Sequence, residues 1–168
     1  TPFKTSVGKT SAYRFDSNRS LISYVVEIAA TQPDAPAILL SDRVVSYGEL
    51  IRLADQYAAT FQDHGAGTGG FVGLLMSRSL HCLAGMLGAL RTGAGYVPLD
   101  PGYASENQLA HIADQVPFSA VLVDPQYTEI ADRLFSAPVV CPFTDTKVSD
   151  PASRRDWGAA NGADPACM

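Results

Sequence analysis

Apolar and polar residues alternate along this chain in two periods, and the points where the period changes divide it into elements. Leu21, Tyr24, Val25 and Ile28 recur at helical spacing, and Gln32-Pro33-Asp34 ends the segment. Ala37 to Leu40 and Val44 to Ser46 are short strand-like runs parted by Ser41-Asp42-Arg43, the pattern of a small hairpin near residues 37–46. Leu50, Leu53, Ala54, Tyr57, Ala58 and Phe61 then mark a long helix. Ser46 and Glu49 stand at capping-box spacing at its start, and Gly65 is placed to stop it in a left-handed conformation. Phe71 to Met76 is nearly all apolar, as expected of a strand covered on both faces. Leu80, Leu83, Ala84, Leu87 and Leu90 give the next helix. Tyr96 to Leu99 is extended, and Pro98 assigns it an edge position or a strand end. Ser105 and Gln108 form a second capping-box pattern, with Leu109, Ile112 and Ala113 on the inward face. A strand at Ala120 to Val123, a helix over Tyr127 to Phe135 and a strand at Pro138 to Cys141 follow.

Strands and helices alternating from Phe71 to Cys141 imply parallel strands with right-handed crossovers. The fold class is therefore α/β, an open and mostly parallel sheet with helices on both faces. Residues 1–18 are polar and aperiodic and read as a linker or arm. Residues 142–168 hold few large apolar groups and read as an irregular excursion, so the domain is set at 19–168.

Composition narrows the class. A chain of 168 residues builds one domain with a real core, and a 46% hydrophobic content makes it globular. The net charge of −5 leaves no basic stripe for nucleic acid or for an anionic membrane surface. No apolar run approaches the ~20 residues of a membrane helix. Cys82, Cys141 and Cys167 show no CxxC spacing and fit inert thiols in a reducing, cytoplasmic setting.

Candidate chemistry is sparse. Gly8-Lys9-Thr10 looks like the end of a phosphate loop, but Phe3 stands where the first glycine belongs. Gly65-Ala66-Gly67-Thr68-Gly69-Gly70 leaves a helix and enters a strand, so its backbone donors face the wrong end for a dinucleotide loop. Gly85 and Gly88 inside a helix read as close-packing positions. His64, His81 and His111 lack the spacing of metal ligands, and there is no Gly-x-Ser-x-Gly elbow. Asp100, Asp114 and Asp124 are candidate carboxylates near strand ends, where open α/β sheets bind ligands, but a turn or surface role is the favoured reading of each. The residues by themselves assign no catalytic, cofactor-binding or metal site.

Two segments carry a resemblance. Val45-Ser46-Tyr47-Gly48-Glu49-Leu50 is similar to a (Leu/Val)-(Ser/Thr)-Tyr-x-Glu-Leu motif. Leu90-Arg91-Thr92-Gly93-Ala94-Gly95-Tyr96-Val97-Pro98-Leu99-Asp100 is similar to a Leu-Lys-x-Gly-x-x-Tyr-Val-Pro-Leu-Asp motif. In this order, these resemble the first two core motifs of the adenylation domains of nonribosomal peptide synthetases, in the AMP-binding, acyl-adenylate-forming superfamily. The resemblance covers about residues 19–141. Ala104-Ser105-Glu106-Asn107-Gln108-Leu109 departs from the family's usual Pro followed by Glu-Arg-Leu.

The resemblance implies the first lobe of an adenylate-forming enzyme. The parent would activate an amino acid with ATP and Mg and load it on phosphopantetheine of a carrier domain, for secondary-metabolite or antibiotic biosynthesis. Its partners would be the remainder of the adenylation domain, condensation and carrier domains, and a small accessory activator protein. Asp164-Pro165-Ala166-Cys167-Met168 resembles the start of a segment that precedes the family's phosphate loop. The chain is thus expected to end before that loop and to be inactive alone. Ser46, Tyr47, Glu49, Leu50, Gly93, Tyr96, Val97, Pro98, Leu99 and Asp100 are then structural motif residues. The alternatives are a non-catalytic scaffold lobe and a fragment of an acyl-CoA or aryl-acid ligase.

Overall fold

The computed structural model describes residues 19–142. The arm over 1–18, Gly8-Lys9-Thr10, Cys167 and the excursion beyond Pro142 lie outside the described residues. The elements run α1 (Leu21–Thr31), β1 (Pro36–Leu39), β2 (Val44–Ser46), α2 (Tyr47–Asp63), β3 (Phe71–Leu75) and α3 (Leu80–Thr92). Then come β4 (Gly95–Pro98), α4 (Glu106–Gln115), β5 (Phe118–Val123), α5 (Thr128–Leu134) and β6 (Val139–Val140). A 3₁₀ turn over Pro125–Tyr127 leads into α5, so the helix expected over Tyr127 to Phe135 starts and ends one residue inside those bounds.

β1 and β2 pair antiparallel as the expected hairpin, closed by the Leu40 N–H donating to the Arg43 carbonyl at 2.9 Å. β3 to β6 form a wholly parallel four-stranded sheet in the order β4-β3-β5-β6. Pro98 is both the last residue of β4 and on the outer strand of the described sheet, so its missing N–H costs no ladder bond there.

Helices cover both faces. Alternate residues Val72, Leu74, Ala120 and Leu122 join a core with α2 and α3. Gly73's neighbours on the other face, Leu75, Val121 and Val123, pack with Leu109 of α4 and with Ala131 and Phe135 after β5. α3 is held between two surfaces by its glycines. A Cβ at Gly85 would lie 2.5 Å from a Leu122 methyl of the sheet, and one at Gly88 would lie 2.9 Å from the Ala54 carbonyl oxygen of α2.

Helix ends follow the turn chemistry of the sequence. Gly65 (φ 85°) stops α2: its N–H bonds the Gln62 carbonyl, and the Ala66 N–H bonds that of Phe61. Gly93 (φ 83°) ends α3 in the same way, with Gly93 and Ala94 N–H groups on the Leu90 and Ala89 carbonyls. These paired bonds are the Schellman arrangement, which needs a left-handed residue. The Ser105–Gln108 capping box is complete. The Ser46–Glu49 box is only half made. The Ser46 hydroxyl accepts the Glu49 N–H at 3.2 Å, but the Glu49 carboxylate turns to Arg43. A guanidinium outcompetes a neutral N–H for a carboxylate, and the hairpin turn brings Arg43 within reach.

Candidate functional site at the carboxyl ends of the strands

β3 feeds α3 on one face, and β5 feeds α5 on the other. The adjacent carboxyl ends of β3 and β5 are therefore where connections diverge, the place where open α/β sheets bind ligands. Here the crevice is tied by its own groups. Asp124 follows β5, and its Oδ2 accepts the Ser77 N–H of the β3–α3 crossover at 2.8 Å. The Asp124 N–H donates to the Leu75 carbonyl at 3.1 Å, fastening the same two strand ends a second time.

Asp100, at the end of β4, is equally engaged. Its Oδ1 accepts the Gly102 N–H at 2.9 Å, and its carbonyl accepts N–H groups of Tyr103 and Ala104. It shapes the turn into α4. Asp114 lies exposed on α4 with Gln115, away from the strand ends. The structure thus brings Asp100 and Asp124 to the carboxyl edge and leaves Asp114 out.

The motif residues fall on two sheets and are not gathered into one site. Ser46, Tyr47, Glu49 and Leu50 make the junction from β2 to α2. There the Tyr47 N–H reaches the Ala35 carbonyl at 3.0 Å, and Leu50 is buried in the core. Gly93 precedes β4, packed so closely that a Cβ would lie 2.9 Å from Thr68 Oγ1. Tyr96, Val97 and Pro98 pair with Val72, Gly73 and Leu74. Leu99 is buried and donates its N–H to the Leu74 carbonyl at 2.9 Å. Gly73 is tightly enclosed: a Cβ there would stand 3.1 Å from a Val121 methyl and 3.2 Å from a Leu99 methyl, so both would have to give.

One polar pair at this edge escaped the sequence reading. The hydroxyl of Tyr57, wholly buried on α2, lies 2.7 Å from Nδ1 of His81 in the first turn of α3. Burial holds the His81 pKa below its ordinary value; Asp124 opposes that shift and Arg43 adds to it. Burial likewise pushes the Cys82 thiol up, with the negative charges of Asp124 and Asp100 pushing the same way. Helical periodicity put Tyr57 in the core but could not show its partner 24 positions away.

Among the described residues, no three His, Cys, Asp or Glu side chains converge to hold a metal ion. No helix there is long and apolar enough to cross a membrane.

A model of the AMP-binding enzyme family matches residues 25–163. Surfactin synthase subunit 3 of Bacillus subtilis (strain 168) is 32% identical over 150 residues, covering 82% of this chain and 11% of its own. Tyrocidine synthase 3 of Brevibacillus parabrevis is 35% identical over 100 residues, covering 60% of this chain and 2% of its own. The chain therefore spans about a tenth or less of the length of these curated relatives. Among solved structures, the nonribosomal peptide synthetase FmoA3 in its α-methyl-L-serine-AMP bound form superposes with a TM-score of 0.71 at 23% identity, over 87% of this chain and 16% of its own. The anthranilate CoA ligase AuaEII in complex with anthranoyl-AMP gives 0.67 at 14% identity, over 76% of this chain and 25% of its own. At such identities the two structures show a shared fold.

Proposed function

Because the chain belongs to the AMP-binding enzyme family, as an adenylate-forming segment of the nonribosomal-peptide-synthetase type, we propose that it is part of a domain that activates an amino acid. In that reaction the amino-acid carboxylate attacks the α-phosphorus of ATP, the bond to the β-phosphate breaks, and pyrophosphate leaves. The phosphopantetheine thiol of a carrier domain then attacks the aminoacyl carbonyl, the bond to phosphate breaks, AMP leaves, and a thioester forms. Condensation and carrier domains of the same synthetase are the proposed partners, with a small accessory activator protein as a further one, in a cytoplasmic setting.

ATP and Mg are the proposed cofactors of the whole domain, with none of the ion's ligands proposed among the described residues. Asp100 and Asp124 are committed to backbone N–H groups, and no third acidic or imidazole ligand converges with them. What these residues do is build and hold the sheet.

The family match over residues 25–163 carries this reading. Within the described residues, the Asp124–Ser77 bond spans the crevice between β3 and β5. A nucleotide needs free donors at such a place. Among the described residues, no glycine-rich loop runs from a strand into a helix. We therefore assign the motif residues Ser46, Tyr47, Glu49, Leu50, Gly93 and Tyr96 to Asp100 a structural role. The proposed domain bounds are 19–168, with residues 1–18 proposed as a linker or arm.

Pyrophosphate exchange tests the proposal on both this 168-residue chain and the longer protein. The expected result is amino-acid-dependent exchange by the longer protein and none by this chain. Exchange above background by the chain alone overturns its structural assignment. Exchange by the longer protein driven by aryl or fatty acids, and by no amino acid, moves the reading to an acyl-CoA or aryl-acid ligase. Failure of the longer protein to exchange with any acid moves it to a scaffold lobe.

A further inference from the structure

We propose that the outer face of the β1–β2 hairpin is where an apolar surface of the same longer polypeptide, from outside residues 1–168, docks in cis. Among the described residues, four large apolar side chains are exposed: Leu21, Leu39, Val44 and Tyr103. Leu21 and Tyr103 stand singly, on α1 and in the turn after β4, and single exposed apolar residues are ordinary. Leu39 and Val44 differ from them. They are partners across the antiparallel register, 78% and 56% exposed, so together they make one continuous apolar knob.

The register of the hairpin holds this pair outward. The neighbouring pair, Ile38 with Val45, points the other way: Val45 is wholly buried and Ile38 packs against the main core. A slip of one residue would expose Val45 and bury Leu39, and the core contact forbids it. The hairpin is also held in shape and against its neighbour helix. The Leu40 N–H on the Arg43 carbonyl closes the turn, the Tyr47 N–H on the Ala35 carbonyl closes the base, and the Arg43 guanidinium pairs with Glu49 of α2. A surface held in this way is ready for a partner, with little ordering left to do on contact.

Size decides between occupants. Two side chains so exposed leave roughly 200 Å² uncovered, about a quarter of the ~800 Å² per partner that a stable free-standing complex covers. Two copies of the chain meeting through this knob alone would not stay together. A neighbour on the same polypeptide needs far less contact, because tethering holds it at an effective concentration in the millimolar range. Such chain is plentiful in the relatives: the matched stretch is 11% of surfactin synthase subunit 3 and 2% of tyrocidine synthase 3. The occupant is therefore an apolar surface tethered in cis, whichever acid the domain activates.

Hydroxyl-radical footprinting read by mass spectrometry tests this on the 168-residue chain and on the longer protein. In the chain, Leu39 is expected to be the most heavily oxidised leucine of residues 19–142, well above Leu74, which is 1% exposed. In the longer protein Leu39 and Val44 are expected to lose label several-fold, with Leu39 falling towards the level of Leu74. Label at Leu39 that stays several-fold above Leu74 in the longer protein overturns the proposal, and this comparison does not depend on the shorter chain folding alone. Loss of label in the 168-residue chain as its concentration rises assigns the face to a second copy and overturns the proposal too. The variant Leu39→p-benzoylphenylalanine in the longer protein then locates the occupant. The expected photoproduct joins the hairpin to a residue outside 1–168 of the same molecule; one confined to 1–168, or one joining two molecules, overturns the assignment.

Discussion

Replacing Gly88 by alanine sets two effects of known size against each other. Gly88 is inside α3, where alanine is intrinsically the better helix former by about 1 kcal/mol. On propensity alone the variant is the more stable protein. The packing says otherwise. The new methyl would stand 2.8 Å from Tyr57 Cβ, 2.9 Å from the Ala54 carbonyl oxygen and 3.1 Å from the Ala58 nitrogen. Two of these three neighbours are backbone atoms of α2, so no side-chain rotation relieves the contact. The two helices must separate by several tenths of an ångström along their shared interface. Overpacking of this kind costs about 1–3 kcal/mol, and a rigid neighbour places it at the upper end. The expected net loss is about 1–2 kcal/mol. Urea denaturation reads it directly: with a slope of about 2 kcal/mol per molar, the midpoint falls by roughly 0.5–1 M. Gly85→Ala is the internal comparison. Its methyl would meet a terminal methyl of Leu122 at 2.5 Å, closer but movable. It is expected to lose less than Gly88→Ala, and Leu122→Val in the same chain is expected to recover part of that loss as a positive coupling. A Gly88→Ala midpoint at or above wild type would refute the reasoning, because it would mean that α2 yields freely.

Gly93→Ala places a side chain at φ 83° and 2.9 Å from Thr68 Oγ1, and a loss of about 1–2 kcal/mol in urea denaturation is expected; an unchanged midpoint would rule out the left-handed stop at the end of α3. Asp124→Asn keeps an acceptor for the Ser77 N–H and removes a charge that raises the Cys82 pKa, so that thiol should lose its proton at lower pH. Alkylation of Cys82 at mildly alkaline pH is expected to speed up while that of exposed Cys141 is unchanged, and equal rates in wild type and variant would contradict the electrostatic account.

The sequence was most readable where local chemistry decides the outcome. Apolar spacing marked the helices, Gly65 and Gly93 marked their ends, and Ser105 with Gln108 marked a cap, since each acts within a turn or two of its own position. Pro98 foretold a strand end at the sheet edge for the same reason: the missing N–H is local. What remained hidden depends on residues far apart in the chain. Glu49 looked like half of a capping box until the hairpin delivered Arg43. The three strand-end aspartates looked alike, yet only the fold separates Asp124, which bridges two strands, from Asp114, which points to solvent. Ser77 contributes through its backbone N–H, a group that every non-proline residue has, so no pattern could single it out.

The strand order also has a kinetic meaning. β3 lies between β4 and β5, so its two partnerships close loops of very different length. Phe71 meets Gly95 on one side and Phe118 on the other. Loop closure becomes more costly as the loop lengthens, which makes the β3–α3–β4 unit the low-contact-order part of the sheet. Its members leave the ribosome first, and α2 is already present to receive α3 on its glycine face. β5 then arrives against a strand whose other edge is already paired, Asp124 fastens it where Ser77 is already in place, and β6 joins afterwards on the far side of β5.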